Sequence, residues 1–505
     1  MRQSELVDYP SAGTLAEDLA HRRISAMEAV DDAIARVERL DGALNAVVVR
    51  DFERAREAAA NADAALARGE RRPLLGVPIT VKESFNVAGL PTTWGMPWFA
   101  GWTAPEDAVL VSRLKAAGAI LIGKTNVPFA LGDWQSFNKV YGTTNNPWAP
   151  GRTPGGSSGG AAVSLAAGYV PLEMGSDIGG SLRAPAHYCG VFSHKPSRSV
   201  IPARGHVVPG TSGGTPDLPV VGPLARRASD LSLAFGVIAG PDVLEATGYR
   251  LDLPPPRHQR LADYRVLVID SHPLLPADRD VRGAIGRLAD GLRASGARVE
   301  TSSDLLPDLT ELARAFIALL MPVVFARQPA ERIAEIAAQV ASLPADVDTP
   351  GAWMLRGAVS SHRDVLAADG VRVRAAYRLY ELFRSFDVVL FPPMPTAAFP
   401  QDESEDADSR TIDIDGTAYP YDLQMVYASL ATAPGLPATT VPLERTPAGL
   451  PVGVTVIGAF LEDRTTLRFA ELVEEAFGGF VPPPALRQAQ GDKRGGAPHE
   501  ITSAR

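Results

Sequence analysis

Three stretches of this chain carry residue types that could perform covalent chemistry. "PITVKES" (78–84) places Lys82 at the end of an apolar run. "PGGSSGG" (154–160) sets Ser157 and Ser158 between two pairs of glycines. "GSDIGGSLRAP" (175–185) puts Ser181 behind another glycine pair, 24 residues after Ser157. A serine hydroxyl attacks well only when a base takes its proton. A lysine amine can be that base only when neutral, the state that burial favours. Glycine pairs let backbone N–H groups turn onto one point. Singly, each residue also has a plain explanation. Lys82 could be a strand-end lysine with its head in water. Ser157 could serve a turn, and Ser181 could cap a helix beginning at "LRAP".

Simpler readings of the glycine-rich segments fail on their neighbours. "GAILIGKT" (118–125) matches the phosphate-loop pattern letter for letter. That loop needs a turn whose N–H groups face phosphate, followed by a helix. Here the intervening Ala-Ile-Leu-Ile wants burial as a strand, and Pro128 follows three residues after Thr125. "GGSSG" and "GSSGG" both fit the serine-hydrolase elbow, which requires a hydrophobic strand immediately before it. The preceding "NNPWAPGRTP" holds three prolines in eight positions and is loop. His194 and His206 follow as candidate partners for a Ser-His-Asp triad, with nothing to mark them. A flexible linker should separate compact units, but "GGSSGG" opens directly into "AAVSLAAG" (161–168), a small-residue helix.

Composition narrows the classes further. The 505 residues carry 49 basic against 58 acidic side chains, a net charge of −9, which argues against a nucleic-acid footprint. One cysteine, Cys189, excludes an intrachain disulfide framework. The eight histidines show no metal-ligand spacing, so neither metal nor cofactor is expected. "MRQSELVDYPSAGTL" has no signal-peptide core. The apolar run "AFIALLMPVVFA" (315–326) is too short to span a bilayer and reads as buried helix. The default expectation is a cytoplasmic protein with no membrane span.

The elements that must position these residues alternate. Residues 14–68 read as helical, with a capping box at Ser25 and Glu28 and a second helix over 52–69. Residues 74–82 read as a strand, 108–118 as a helix, and 119–125 as a short buried strand. Further on, 264–270, 279–296 and 297–300 form a strand–helix–strand unit, and 308–385 is mostly helical. Strands over 386–395, 437–443 and 452–458 precede a closing helix over 463–477. The acidic run 401–416 reads as a surface loop. The pattern predicts a layered α/β protein with one large domain. Its parts would be an N-terminal helical segment (1–70), a core (71–485) and a polar, disordered tail (486–505).

Taken in order, the lysine after "GVP", then "GGSSGG", then "GSDIGGSLR", the chain resembles the amidase signature family. "GKTNVP" (123–128), "YGTTNNPW" (141–148), "CGVFSHKPS" (189–197) and "PGLPATTVPLERTPAGLPVGVTVIG" (434–458) extend the resemblance over most of the chain. It implies a mixed central β-sheet sandwiched between α-helices. It also implies an amidase that hydrolyses a carboxamide through a serine acyl-enzyme, with a Ser–cis-Ser–Lys triad. By position, Ser181 is then the nucleophile, Ser157 the bridging serine after a cis Gly156–Ser157 bond, and Lys82 the base. The N–H groups of Ile178, Gly179 and Gly180, with that of Ser181, would form the oxyanion hole. Asp177 and Arg183 would pair to shape the turn. The partner implied is a small-molecule amide, and many relatives are homodimers. The alternative within the family is the glutamine-hydrolysing A-type component of a tRNA-dependent amidotransferase. That component usually carries an acid near position 425, where this chain has Met425, with Asp422 the nearest acid. Trp94, Trp98, Phe99 and Trp102 fall within nine positions and suit either an acyl pocket or the core.

Overall fold

A computed structural model describes residues 9–211, 217–404 and 409–484. Its main sheet is built from β1 (Val47–Arg50), β2 (Pro78–Lys82), β3 (Ile120–Thr125), β4 (Leu172–Asp177), β5 (Phe192–Lys195) and β6 (Val220–Ala225). β7 (Arg265–Val268), β8 (Arg298–Glu300), β9 (Val388–Phe391), β10 (Ala438–Arg445) and β11 (Pro451–Ile457) complete it. The eleven strands lie in the order β1-β3-β2-β4-β6-β5-β10-β11-β9-β7-β8. β3, β2 and β4 run parallel, as do β9, β7 and β8, while the pairs between these groups are antiparallel. The sheet is therefore mixed, with helices flanking it, as the α/β reading expected.

The local rules explain most elements. α1 (Ala12–Ala20) precedes α2 (Ala26–Leu44), which starts at the expected capping box. There Ser25 N donates to Glu28 Oε2 at 2.9 Å, and Glu28 N donates to Ser25 Oγ at 3.1 Å. The helical reading of residues 14–68 is interrupted where Asn45 closes α2 with a left-handed φ of 52°. "VVVR" then forms β1 and adds an antiparallel edge to β3. β-branched residues suit a pleated surface better than a helix. The chain returns to helix in α3 (Phe52–Ala67), and α4 (Val109–Ala116) connects β2 to the parallel β3. Strands β4, β5 and β6 escape the sequence reading because "LEMGSD", "FSHK" and "VVGPLA" interrupt their apolar residues with glycine, proline or polar ones, so neither alternation nor a continuous apolar run marks them.

α5 (Gly159–Ala166) follows the first serine-bearing turn, and α6 (Arg183–Cys189) follows the second. α7 (Ala228–Ile238), α8 (Arg279–Ala294), α9 (Leu309–Phe325), α10 (Ala330–Ser342), α11 (Pro350–Ala358) and α12 (His362–Ser385) come next. α13 (Val426–Thr432) and α14 (Asp463–Phe477) end the described chain. The acidic run is partly a hairpin: Thr411–Ile414 pairs with Thr417–Pro420 across Asp415 and Gly416, both at positive φ. Asp-Gly is the turn pair that such a hairpin favours. The predicted tail at 486–505 lies outside the described residues. Among the described residues no helix is long and apolar enough to cross a membrane.

Candidate active site

β2 delivers Lys82 to the middle of the fold, where the residue is fully buried. Its Nζ donates to Ser157 Oγ at 2.7 Å and to Ser176 Oγ at 2.9 Å. Burial pushes the amine down to about 7, against the opposing pull of Asp177 and Glu173. The neutral amine is thus accessible near physiological pH.

The turn bearing Ser157 is held from one side by residues 133–136. Ser136 Oγ donates to the Gly155 carbonyl at 2.9 Å, and Gly159 N donates to Ser136 Oγ at 3.2 Å. Thr153 Oγ1 donates to the Trp134 carbonyl at 2.8 Å. A Cβ on Gly156 would stand 2.1 Å from the Asp133 carbonyl oxygen, so only glycine fits there. The Gly156–Ser157 peptide is cis. Ser158 ties this turn to the next one. Its N–H donates to the Ser181 carbonyl at 3.3 Å, and its Oγ donates to the Ser176 carbonyl at 3.3 Å.

The second turn leaves the end of β4. Asp177 accepts from the N–H groups of Gly180 and Leu182, each at 3.0 Å. It also takes Arg183 bidentately, at 3.1 Å from Nε and 2.8 Å from Nη2. Burial alone would raise the Asp177 carboxyl, but the Arg183 guanidinium, the Leu182 N–H and Lys195 together hold the group down to about 2. Trp134 Nε1 donates to the Gly179 carbonyl at 2.9 Å and fixes the turn from the other side. Asp177→Asn would leave the buried Arg183 charge without its counter-ion. A loss of about 3 kcal/mol or more is expected in urea unfolding; a change below about 1 kcal/mol would contradict a structural role for the pair.

The four expected donors differ in their partners. The Gly180 N–H is already committed to Asp177. The N–H groups of Ile178, Gly179 and Ser181 donate to nothing among the described residues. Gly180 instead supplies the bend, at φ 96°, that carries the chain from Gly179 to Ser181. The structure brings Lys82 and Ser157 into contact and sets the Ser181 backbone against Ser158. No hydrogen bond joins the Ser157 and Ser181 side chains, and Ser181 Oγ takes no partner among the described residues. Links of this kind are commonly long without substrate and tighten when it binds.

Other sequence candidates resolve clearly. Lys124 of the phosphate-loop pattern is buried on β3 and donates to the Pro91 carbonyl and to Thr92 Oγ1. His194 bonds Thr439 and Asp463, and His206 bonds Ser84, so neither reaches a candidate serine. The four aromatics of residues 94–102 divide. Trp94 stacks near His206 at 5.2 Å, whereas Trp98 is 66% exposed and meets Phe129 edge-on. Met425 packs both on the main core and on a small separate apolar cluster of Trp134, Ala184, Tyr188, Met394, Ala398 and Tyr421. Trp134 links that cluster to Gly179. Ser176, Glu173 and Trp134 are the residues that motif reading missed. Ser176 stood in view inside "GSDIGGS", but nothing in its spacing tied it to Lys82.

Comparison with known proteins fits this geometry. The family model described as Amidase matches residues 28–467. The glutamyl-tRNA(Gln) amidotransferase A-type component of Anaeromyxobacter sp. (strain K) is 35% identical over 493 residues, covering 92% of this chain and 96% of that protein. A chain of the vestigial protein complex that reveals the origins of an s-triazine catabolic enzyme superposes with a TM-score of 0.78 at 30% identity. That match covers 94% of this chain and all of that one. A bacterial aryl acylamidase shares the fold at a TM-score of 0.77 and 24% identity, covering 93% of this chain and 96% of that one.

Proposed function

This chain belongs to the amidase family, enzymes of amide C–N bonds, and from that premise we propose that it hydrolyses an uncharged, partly apolar carboxamide through an acyl-enzyme on Ser181. One observation carries the reading. A buried lysine is bonded to Ser157, and the adjoining turn holds Ser181 beside backbone N–H groups that donate to nothing among the described residues. In the first step Ser181 Oγ attacks the carbonyl carbon and passes its proton to Ser157, which passes its own to Lys82. The developing oxyanion takes the N–H groups of Ile178, Gly179 and Ser181. Each such donor is worth roughly 3 kcal/mol of transition-state stabilisation. The proton returns through Ser157 to the leaving nitrogen, and the C–N bond breaks. Water then attacks the ester by the same relay in reverse, releasing the carboxylate.

Two features support an apolar acyl group. The cluster around Trp134 and Met425 lies beside the Gly179 turn, and Met425 offers no charge to an amino acid's ammonium. The second reading, a glutamine-hydrolysing A-type component of an amidotransferase, is favoured by the relationship to the Anaeromyxobacter protein. A substrate panel separates the two. Turnover of aryl and alkyl carboxamides by the isolated chain, with little on glutamine, is the expected result. Hydrolysis of millimolar glutamine with none of the other amides would replace the first reading with the second.

A further inference from the structure

Glu173 is buried behind Lys82, and its place follows from three adjacent strands. β4, β2 and β3 lie side by side with β2 in the middle. Glu173 sits on β4, yet its Oε1 accepts from Thr125 Oγ1 of β3 at 2.5 Å. The side chain therefore crosses over β2. In register, Thr80 pairs with Glu173 and Lys82 pairs with Thr125. Residues two apart on a strand share a face, and parallel neighbours in register point the same way. The crossing carboxyl thus lies between Thr80 and Lys82. α5 covers this seam, with Ser164 Oγ at 3.1 Å from Thr80 Oγ1.

The seam holds few other charges. α5 carries no titratable side chain, and neither does β6 on the far side of β4. Asp177 is committed to Arg183. Lys124 of β3 is bonded to Pro91 and Thr92, Glu83 beside Lys82 accepts from the N–H groups of Thr93 and Trp94, and Lys195 of β5 donates to the Pro196 carbonyl. From α6, His187 is bonded to the Thr396 carbonyl and to Gly453 N. His206, whose proton affinity burial and then Lys82 depress, is bonded to Ser84. Glu173 makes no ion pair among the described residues, and a lone buried carboxylate is costly. Its second oxygen accepts from the Met174 N–H, and the Thr80 hydroxyl also favours the ionised carboxyl.

Resting on the reading of Lys82 as the base, we propose that Glu173 is a positioning residue for it: its carboxyl, carried across β2 into the seam, sets how readily the amine gives up its proton. Burial pushes the Glu173 carboxyl up to about 8 and the Lys82 amine down to about 7, so both groups exchange protons over the same range.

The test is the pH dependence of kcat/KM on a good amide substrate. In Glu173→Gln the ammonium loses its counter-charge, so the amine releases its proton more readily. The acid limb is expected to move to lower pH by about one unit, with KM and the far-UV spectrum unchanged. Thr125→Val removes the donor that favours the carboxylate, and a smaller shift in the same direction is expected. A folded Glu173→Gln enzyme whose acid limb coincides with that of the wild type overturns the proposal. Should that variant not fold, an unshifted Thr125→Val limb overturns it instead. Lys82→Met keeps the two questions apart. If it is inactive while the limb is unshifted, only the coupling fails; if it keeps its turnover, the lysine base fails.

Discussion

Ser181→Ala reduces kcat/KM roughly 10⁴- to 10⁶-fold, the largest loss expected of any single change in this protein. It removes the atom proposed to form the covalent bond, and the two serines of the first turn are held elsewhere. Ser157 is held by Lys82. Ser158 Oγ is turned to the Ser176 carbonyl. Stability should hardly move, because Ser181 Oγ makes no hydrogen bond to the described protein. The measurements are steady-state kinetics, thermal unfolding, and labelling by a fluorophosphonate mapped by mass spectrometry. Label on Ser181 in the wild type, and none in the variant, is the expected pair of results. Label on Ser157 or Ser158 would reverse the assigned roles.

Lys82→Met carries the second largest effect, a loss of roughly 10²–10⁴ in kcat/KM, the range a general base supplies. Methionine keeps most of the volume and removes the amine. Ser157 and Ser176 lose their shared donor, so a modest loss of stability accompanies the change. In the wild type, the amine folded at about 7 is protonated below that pH and cannot accept the serine proton. The rate should therefore fall on the acid side with an apparent pKa near 7, a value that belongs to Lys82 and its neighbours jointly. A profile flat to pH 5 would exclude a neutral lysine base. So would a Lys82→Met enzyme retaining a tenth of wild-type activity.

The chain order of the motifs was enough to name the family and to single out Lys82, Ser157 and Ser181. Local rules also placed the strand and helix over 108–125, the unit over 264–300 and the closing helix Asp463–Phe477 close to where they lie. Periodicity, caps and turn residues act over a few neighbouring positions, so a contiguous stretch contains them. Even the misread strand Val47–Arg50 had its signal, an Asn before three consecutive valines.

What tertiary structure decided lies in pairings between distant segments. Ser176 meets Lys82 across 94 positions, and Trp134 reaches Gly179 across 45. Thr125 meets Glu173 across 48 positions, only because β2 is laid between their strands. The fate of the Gly180 N–H was equally hidden, since the direction of each amide in "DIGGS" depends on how Asp177 and Arg183 lock the turn. Residue type shows that a lysine could be a base; strand order and burial determine whether it is surrounded by what makes it one.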